Sequence, residues 1–175
     1  MNAFAGFLRA VNVGGTGKLP MAKLRALCED IGLTHVSTYI ASGNVAFVSE
    51  NSADVVKAAL ERKLLEYAGK HVAVVIRTAD ELAAVIAANP FADGKPNFTL
   101  VSLLDEPAHA SMIEAASGRK DESIVAHNKE LYVYYTQGMG TSKLKIPAAN
   151  AATSRNMNTI RKMAELTAAL AKDLK

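Results

Sequence analysis

Gly14-Gly15-Thr16-Gly17-Lys18 interrupts the apolar run that opens the chain and leads through Leu19-Pro20 into a helical pattern. Backbone N–H groups freed by glycine, with a lysine and a helix start beside them, are the chemistry of anion binding. The spacing is not that of a Walker A loop, because Leu19-Pro20 stands where a magnesium-binding hydroxyl belongs, and G-x-G-x-x-G is absent. The competing reading is a loop whose glycines only permit a turn. Arg9, inside the apolar run, needs a partner or an opening to solvent. Tyr39, Ser42 and Asn44 mark a hairpin end that this topology brings toward the glycine loop. Ser42 has no flanking His or acid and no G-x-S-x-G context, which argues for a turn rather than a nucleophile.

Two later motifs, Ser142-Lys143 and Thr153-Ser154-Arg155-Asn156, set hydroxyls, amides and cations beside a helix start, where the dipole favours anions and where ordinary capping is the alternative. The candidate ligand-binding set is therefore Arg9, Asn12, Gly14, Gly15, Lys18, Tyr39, Ser42, Asn44, Lys143, Arg155 and Asn156. Arg9, Lys18, Lys143 and Arg155 converge on a cleft if the two halves of the chain fold against each other. No catalytic residue and no cofactor is assigned.

Bulk properties bound the rest. Half of the 175 residues are hydrophobic and 21% are charged, as in a globular protein with a real core. No apolar run reaches the roughly 18–20 residues of a membrane-spanning helix. Met1-Asn2-Ala3-Phe4 reads as a first strand rather than a secretory signal, so a cytoplasmic location is expected. Cys28 is the only cysteine, which excludes an internal disulfide, and its place on an apolar stripe makes it a core residue rather than a nucleophile. His35, His71, His109 and His127 are scattered, and no zinc site is expected. The segment from Met139 to Lys175 holds seven basic and two acidic residues, +5, against −2 for the remainder. Such a face can meet an anionic partner, although a solvated helix is the plainer reading.

The elements that must position these residues follow from periodicity. Residues 3–13 read as a buried strand, and Met21, Leu24, Leu27, Cys28 and Ile31 as a helix stopped by Gly32. Residues 35–41 and 44–49 read as a hairpin. Ser52 caps a helix with Val55, Val56, Leu60, Leu64 and Tyr67 as its buried stripe and Gly69 at its end, and 71–76 is a strand. The order β-α-β-β-α-β is the split ferredoxin-like arrangement. Thr78-Ala79-Asp80-Glu81 is a capping box for a third helix that ends before Pro90. Beyond the loop 89–96 come a strand from Phe98 to Leu104, a helix from Pro107 to Gly118, and a hairpin across Asn128-Lys129. A Gly-, Lys- and Ala-rich connection follows, with a short helix from Ser142. Thr153 or Ser154 then caps a last helix through Met157, Ile160 and Met163.

Asn12-Val13-Gly14-Gly15, Leu19-Pro20-Met21, Leu24-Arg25, Thr38 to Val45, Asn89-Pro90-Phe91, Ser142-Lys143-Leu144 and Thr153 to Thr159 occur in one order along nearly the whole chain. In this the sequence resembles the domain-of-unknown-function 1697 family of small bacterial proteins. It departs from the family pattern at Met157, where the family carries Trp, which removes the aromatic that would stack on a ligand there. The resemblance implies two related ferredoxin-like α+β lobes and no activity, since the family has no assigned function. The expected fold is α+β, with two ferredoxin-like lobes packed together and a C-terminal helix. The lobes are drawn at 1–77 and 97–175, with 78–96 as connecting helix and loop.

Three functions are open to such a chain. The first is a cytosolic binding protein for a small anionic ligand, a nucleotide or phosphorylated metabolite. The second is a weak nucleic-acid-binding module using the basic C-terminal face, although the RNP1 pattern and tryptophan are both absent. The third is a small metal-independent enzyme, disfavoured because no acid–base pair or nucleophile emerges.

Overall fold

The opening run forms β1 (Asn2–Leu8), buried from Ala3 onward. The computed structural model describes residues 1–13 and 18–175, so Gly14, Gly15 and the expectations attached to them lie outside the described residues. β1 stops short of the expected 13 because Ala10 and Asn12 take φ of 52° and 55°, a left-handed conformation that ends a strand. α1 (Met21–Asp30) buries Leu24, Leu27 and Cys28. The reading of Cys28 as core holds: burial pushes its thiol up to about 12, far from a usable nucleophile.

β2 (Thr34–Tyr39) and β3 (Asn44–Ser49) form the hairpin, and α2 (Ala53–Ala68) follows. Ser52 Oγ accepts from the Val55 N–H at its start and Gly69, at φ 70°, ends it. The buried stripe of α2 is Val56, Leu60 and Leu64, spaced by four residues. Val55 and Tyr67, expected in that stripe, are instead 53% and 42% exposed. They fall outside the one line of side chains that meets the sheet. β4 (Val74–Thr78) begins three residues later than expected, and Thr78 and Glu81 form the reciprocal capping box of α3 (Ala79–Ala87).

The strands assemble as β2-β3-β1-β4, with every neighbouring pair antiparallel. The two central strands are the apolar ones, as burial on both faces requires. Phe4, Leu8, Val45, Phe47, Val74 and Ile76 join α1 and α2 in one core.

A second antiparallel sheet, β6-β7-β5-β8, contains β5 (Thr99–Leu103), β6 (Ser123–His127), β7 (Glu130–Tyr134) and β8 (Thr153–Asn156). The β6–β7 turn is Asn128-Lys129, with Asn128 at φ 52°, as two-residue hairpins demand. Three expectations need correction here. The helix expected over 107–118 is confined to α4 (Ala110–Glu114), the short helix expected from Ser142 is a 3-10 turn at Pro147–Asn150, and Thr153 and Ser154 lie in a strand. Asn156, not Thr153 or Ser154, caps α5 (Met157–Asp173), its Oδ1 accepting from the Thr159 N–H at 3.0 Å.

The chain is thus α+β with two four-stranded antiparallel sheets and a C-terminal helix. It divides into two compact units, Met1–Ala83 with Lys162–Lys175, and Ala84–Arg161. Among the described residues no helix is long and apolar enough to cross a membrane.

Candidate functional site

In the first unit the segment after β1 is held by one side chain. Asn12 Nδ2 donates to the carbonyls of Leu19 at 2.8 Å and Ala41 at 2.7 Å, and the Leu19 N–H donates back to Asn12 Oδ1 at 2.7 Å. Asn12 therefore closes the two ends of the loop and ties them to the β2–β3 turn. The Leu8 N–H donates to Gly43 at 2.8 Å and the Arg9 N–H to Ala73 at 3.0 Å, so three segments meet at this end of the sheet. Ala10, Asn12, Ile40 and Gly43 all have positive φ there. For Ile40, a β-branched residue at φ 49°, the conformation costs on the order of 1–3 kcal/mol. Backbone of this kind persists only where the surroundings over-determine it, which makes this end of the sheet the place to look for a site.

A cavity of about 320 Å³ lies against that segment. Its apolar base is Val11, Leu19, Leu64 and Val72, all buried, and Lys18, Tyr67 and Lys70 stand exposed at its edge. The Tyr67 hydroxyl donates a long hydrogen bond, 3.5 Å, to the Lys18 carbonyl, and Lys23 Nζ sits 5.3 Å from the centre of the Tyr67 ring. Lys23 thus places its ammonium against this ring, and Lys18 and Lys70 line the cavity beside it. The C-terminus of α2, at Gly69, contributes about half a negative charge that opposes an anion here. Two lysines, Lys18 and Lys70, line the cavity against it, and Lys63 pairs with Asp30 and Glu66, each at 4.0 Å.

The structure places the remaining sequence-derived residues elsewhere around the fold. Asn44 is fully buried, its Nδ2 donating to the Tyr39 carbonyl at 2.9 Å and Ser42 Oγ at 3.0 Å, so these three residues build the hairpin end. Arg9 is exposed. In the second unit, Arg155 is buried in β8 with Nη1 donating to the Ser154 carbonyl at 2.9 Å, and burial draws its guanidinium down to about 10. Tyr67, Lys23 and Lys70 were missed by sequence reasoning. The available signal was the step of four in Val56, Leu60 and Leu64, which leaves Tyr67 off the line.

Lys143 lines a second cavity, also about 320 Å³, with Lys120, Glu122, Tyr135 and Ser142. Glu122 is 5% exposed, and its carboxylate accepts from the Ser142 hydroxyl and, at 2.6 Å, the Lys120 N–H. These bonds, Ser142 first, hold its carboxyl down to about 2 from the usual 4.5. A carboxyl lowered on folding contributes stability that is present above its unfolded value and lost as pH falls through the folded one. Glu122→Gln should therefore flatten the loss of stability between pH 4.5 and 2, read as unfolding midpoint against pH. An unchanged acid limb would show that these bonds carry no linkage. Among the described residues no group of three or more His, Cys, Asp or Glu gathers as a metal site.

A family model described as Protein of unknown function (DUF1697) matches residues 1–132, which includes the Asn12, hairpin and Asn89-Pro90-Phe91 motifs. No curated protein matches the chain. Among solved structures, the conserved bacterial protein SP0830 from Streptococcus pneumoniae is similar, with a TM-score of 0.77 and 22% identity over 94% of this chain and 98% of that one. At that identity the likeness concerns the fold alone.

Proposed function

Since the chain belongs to the family of proteins of unknown function DUF1697, a membership that brings no activity, we propose that it is a cytosolic binding protein for a small anionic ligand, a nucleotide or phosphorylated metabolite, held at the cavity beside Tyr67. The observation that carries this is a cavity with an apolar base whose edge holds Lys18, Lys70 and Tyr67, with the Lys23 ammonium 5.3 Å from the centre of the tyrosine ring. The base accepts a planar or aliphatic body, the ring offers a stacking face, and the ammonium groups meet the phosphate. Among the described residues no His, Asp or Glu lines the cavity, which favours binding over turnover. We read each unit as ferredoxin-like; the strand orders β2-β3-β1-β4 and β6-β7-β5-β8 support that reading. The nucleic-acid alternative has less behind it, because Arg155 of the basic tail is buried and Lys162 pairs with Glu165 at 3.0 Å.

Lys18→Ala and Lys70→Ala should each weaken binding of adenosine monophosphate about tenfold, the worth of one charge-assisted contact. Isothermal titration near physiological ionic strength measures it. Adenosine binding as tightly as its monophosphate would remove the phosphate role. Affinity for the protein that collapses with salt, and only for polynucleotides, would favour the nucleic-acid alternative.

A further inference from the structure

The two units differ in what lies between their last two strands. Between β3 and β4 the first unit places α2, whose Val56, Leu60 and Leu64 bury a face of that sheet. Between β7 and β8 the second unit has residues 135–152, with a 3-10 turn at Pro147–Asn150. A cavity of about 450 Å³ opens over the sheet at this place, within the usual range for small-molecule sites. Leu100, Val133 and Ile146 give it apolar walls. Its floor holds two hydroxyls, Ser102 on β5 and Ser154 on β8, paired across the strands with Oγ atoms 2.8 Å apart. Ser102 is 2% exposed, so that pair is built into the sheet rather than added to the surface.

The polar lining consists chiefly of donors. Two hydroxyls bonded to each other retain one O–H for a third partner. Tyr135 also lines the cavity; burial, and then the charge of Glu122, raise its phenol, so it stays a donor. Lys145 and Asn150 stand exposed at the edge, and among the described residues no acidic side chain lines the cavity. One ammonium matches one negative charge, which suits a carboxylate better than a phosphate dianion. The backbone under Lys145 is fixed, its N–H donating to Ser117 at 2.8 Å and its carbonyl accepting from the Ser117 N–H at 2.9 Å. A rim held in this way loses little freedom on binding. We propose that this cavity binds a small carboxylic acid with a compact apolar body, its carboxylate at Lys145 and Asn150 and its body against Leu100, Val133 and Ile146. The site is independent of the one beside Tyr67.

The test is a titration of isotope-labelled protein with benzoate, followed by amide resonances. Saturable shifts at Ser102, Lys145 and Ser154 are expected, with benzamide, equal in shape but uncharged, binding about tenfold more weakly. Lys145→Gln, a change at an exposed side chain, should weaken benzoate about as much. Absent shifts, shifts confined to residues around Tyr67, benzamide binding as tightly as benzoate, or unchanged affinity in Lys145→Gln would each overturn the proposal.

Discussion

Gly43→Ala is expected to cost about 3–5 kcal/mol of stability and to abolish the binding proposed beside Tyr67. Two effects add. Gly43 sits at φ 87°, where a side chain is strained, and an added Cβ would stand 2.6 Å from Val11 Cγ2 and 2.9 Å from Leu8 Cβ. Neither neighbour is the far end of a flexible chain: Leu8 ends a central strand, and Val11 is part of the apolar base of the cavity. The Leu8–Gly43 hydrogen bond and the Asn12 bond to Ala41 both depend on this turn, so the strain passes directly into the loop that carries Lys18. Gly32→Ala is the control. It shares a positive φ of 84° but has nothing within 4 Å of the added carbon, and should cost only about 1–2 kcal/mol. Thermal unfolding separates the two, at roughly 2–4 °C per kcal/mol for a chain of this size. Equal losses would show that the close approach to Val11 and Leu8 is relieved without cost.

Gly118→Ala should be comparably severe in the second unit, about 3–5 kcal/mol. Here φ is 69° and the added carbon would be driven onto the Lys143 carbonyl, a backbone atom with no rotamer to escape into. Lys143 is followed by the Lys145 bridge to Ser117 and preceded by Ser142, whose hydroxyl donates to Glu122. Displacing this backbone undoes both anchors. Amide exchange at Ser117 and Lys145 should therefore accelerate, and the carboxylate site should weaken with it. Gly69→Ala, at φ 70° with open space around it, isolates the conformational part of the loss. Exchange at Lys145 that stays slow in Gly118→Ala would mean that the bridge does not depend on this contact.

The elements readable from sequence are those whose causes are local. The capping box at Thr78 and Glu81, the Asn128-Lys129 turn and the core place of Cys28 rest on neighbours a few residues away, and each stands in the structure. The first four strands and two helices followed from periodicity for the same reason. The candidate site was legible only in part. Lys18 was found because it stands beside glycines, but Tyr67 was assigned to the core because helical spacing alone cannot tell which residues lie beyond the edge of a sheet. The four-residue β8 was hidden for a similar reason: Thr-Ser-Arg-Asn has the composition of a cap, and pairing with β5 overrides it.

The sequence by itself determined where the first three helices begin and end, which strands are apolar enough to be central, and that a glycine-rich stretch with a lysine follows the first of them. Those features depend on backbone propensity and on side chains close along the chain. Only the tertiary structure decided that Asn12 ties Leu19 to Ala41, that Lys23 lies against the ring of Tyr67 while Tyr67 reaches the Lys18 carbonyl, and that Ser102 and Ser154 meet under a cavity. Each joins residues separated by 29 to 52 positions or set on different elements, and chain distance carries no signal of that until strands pair.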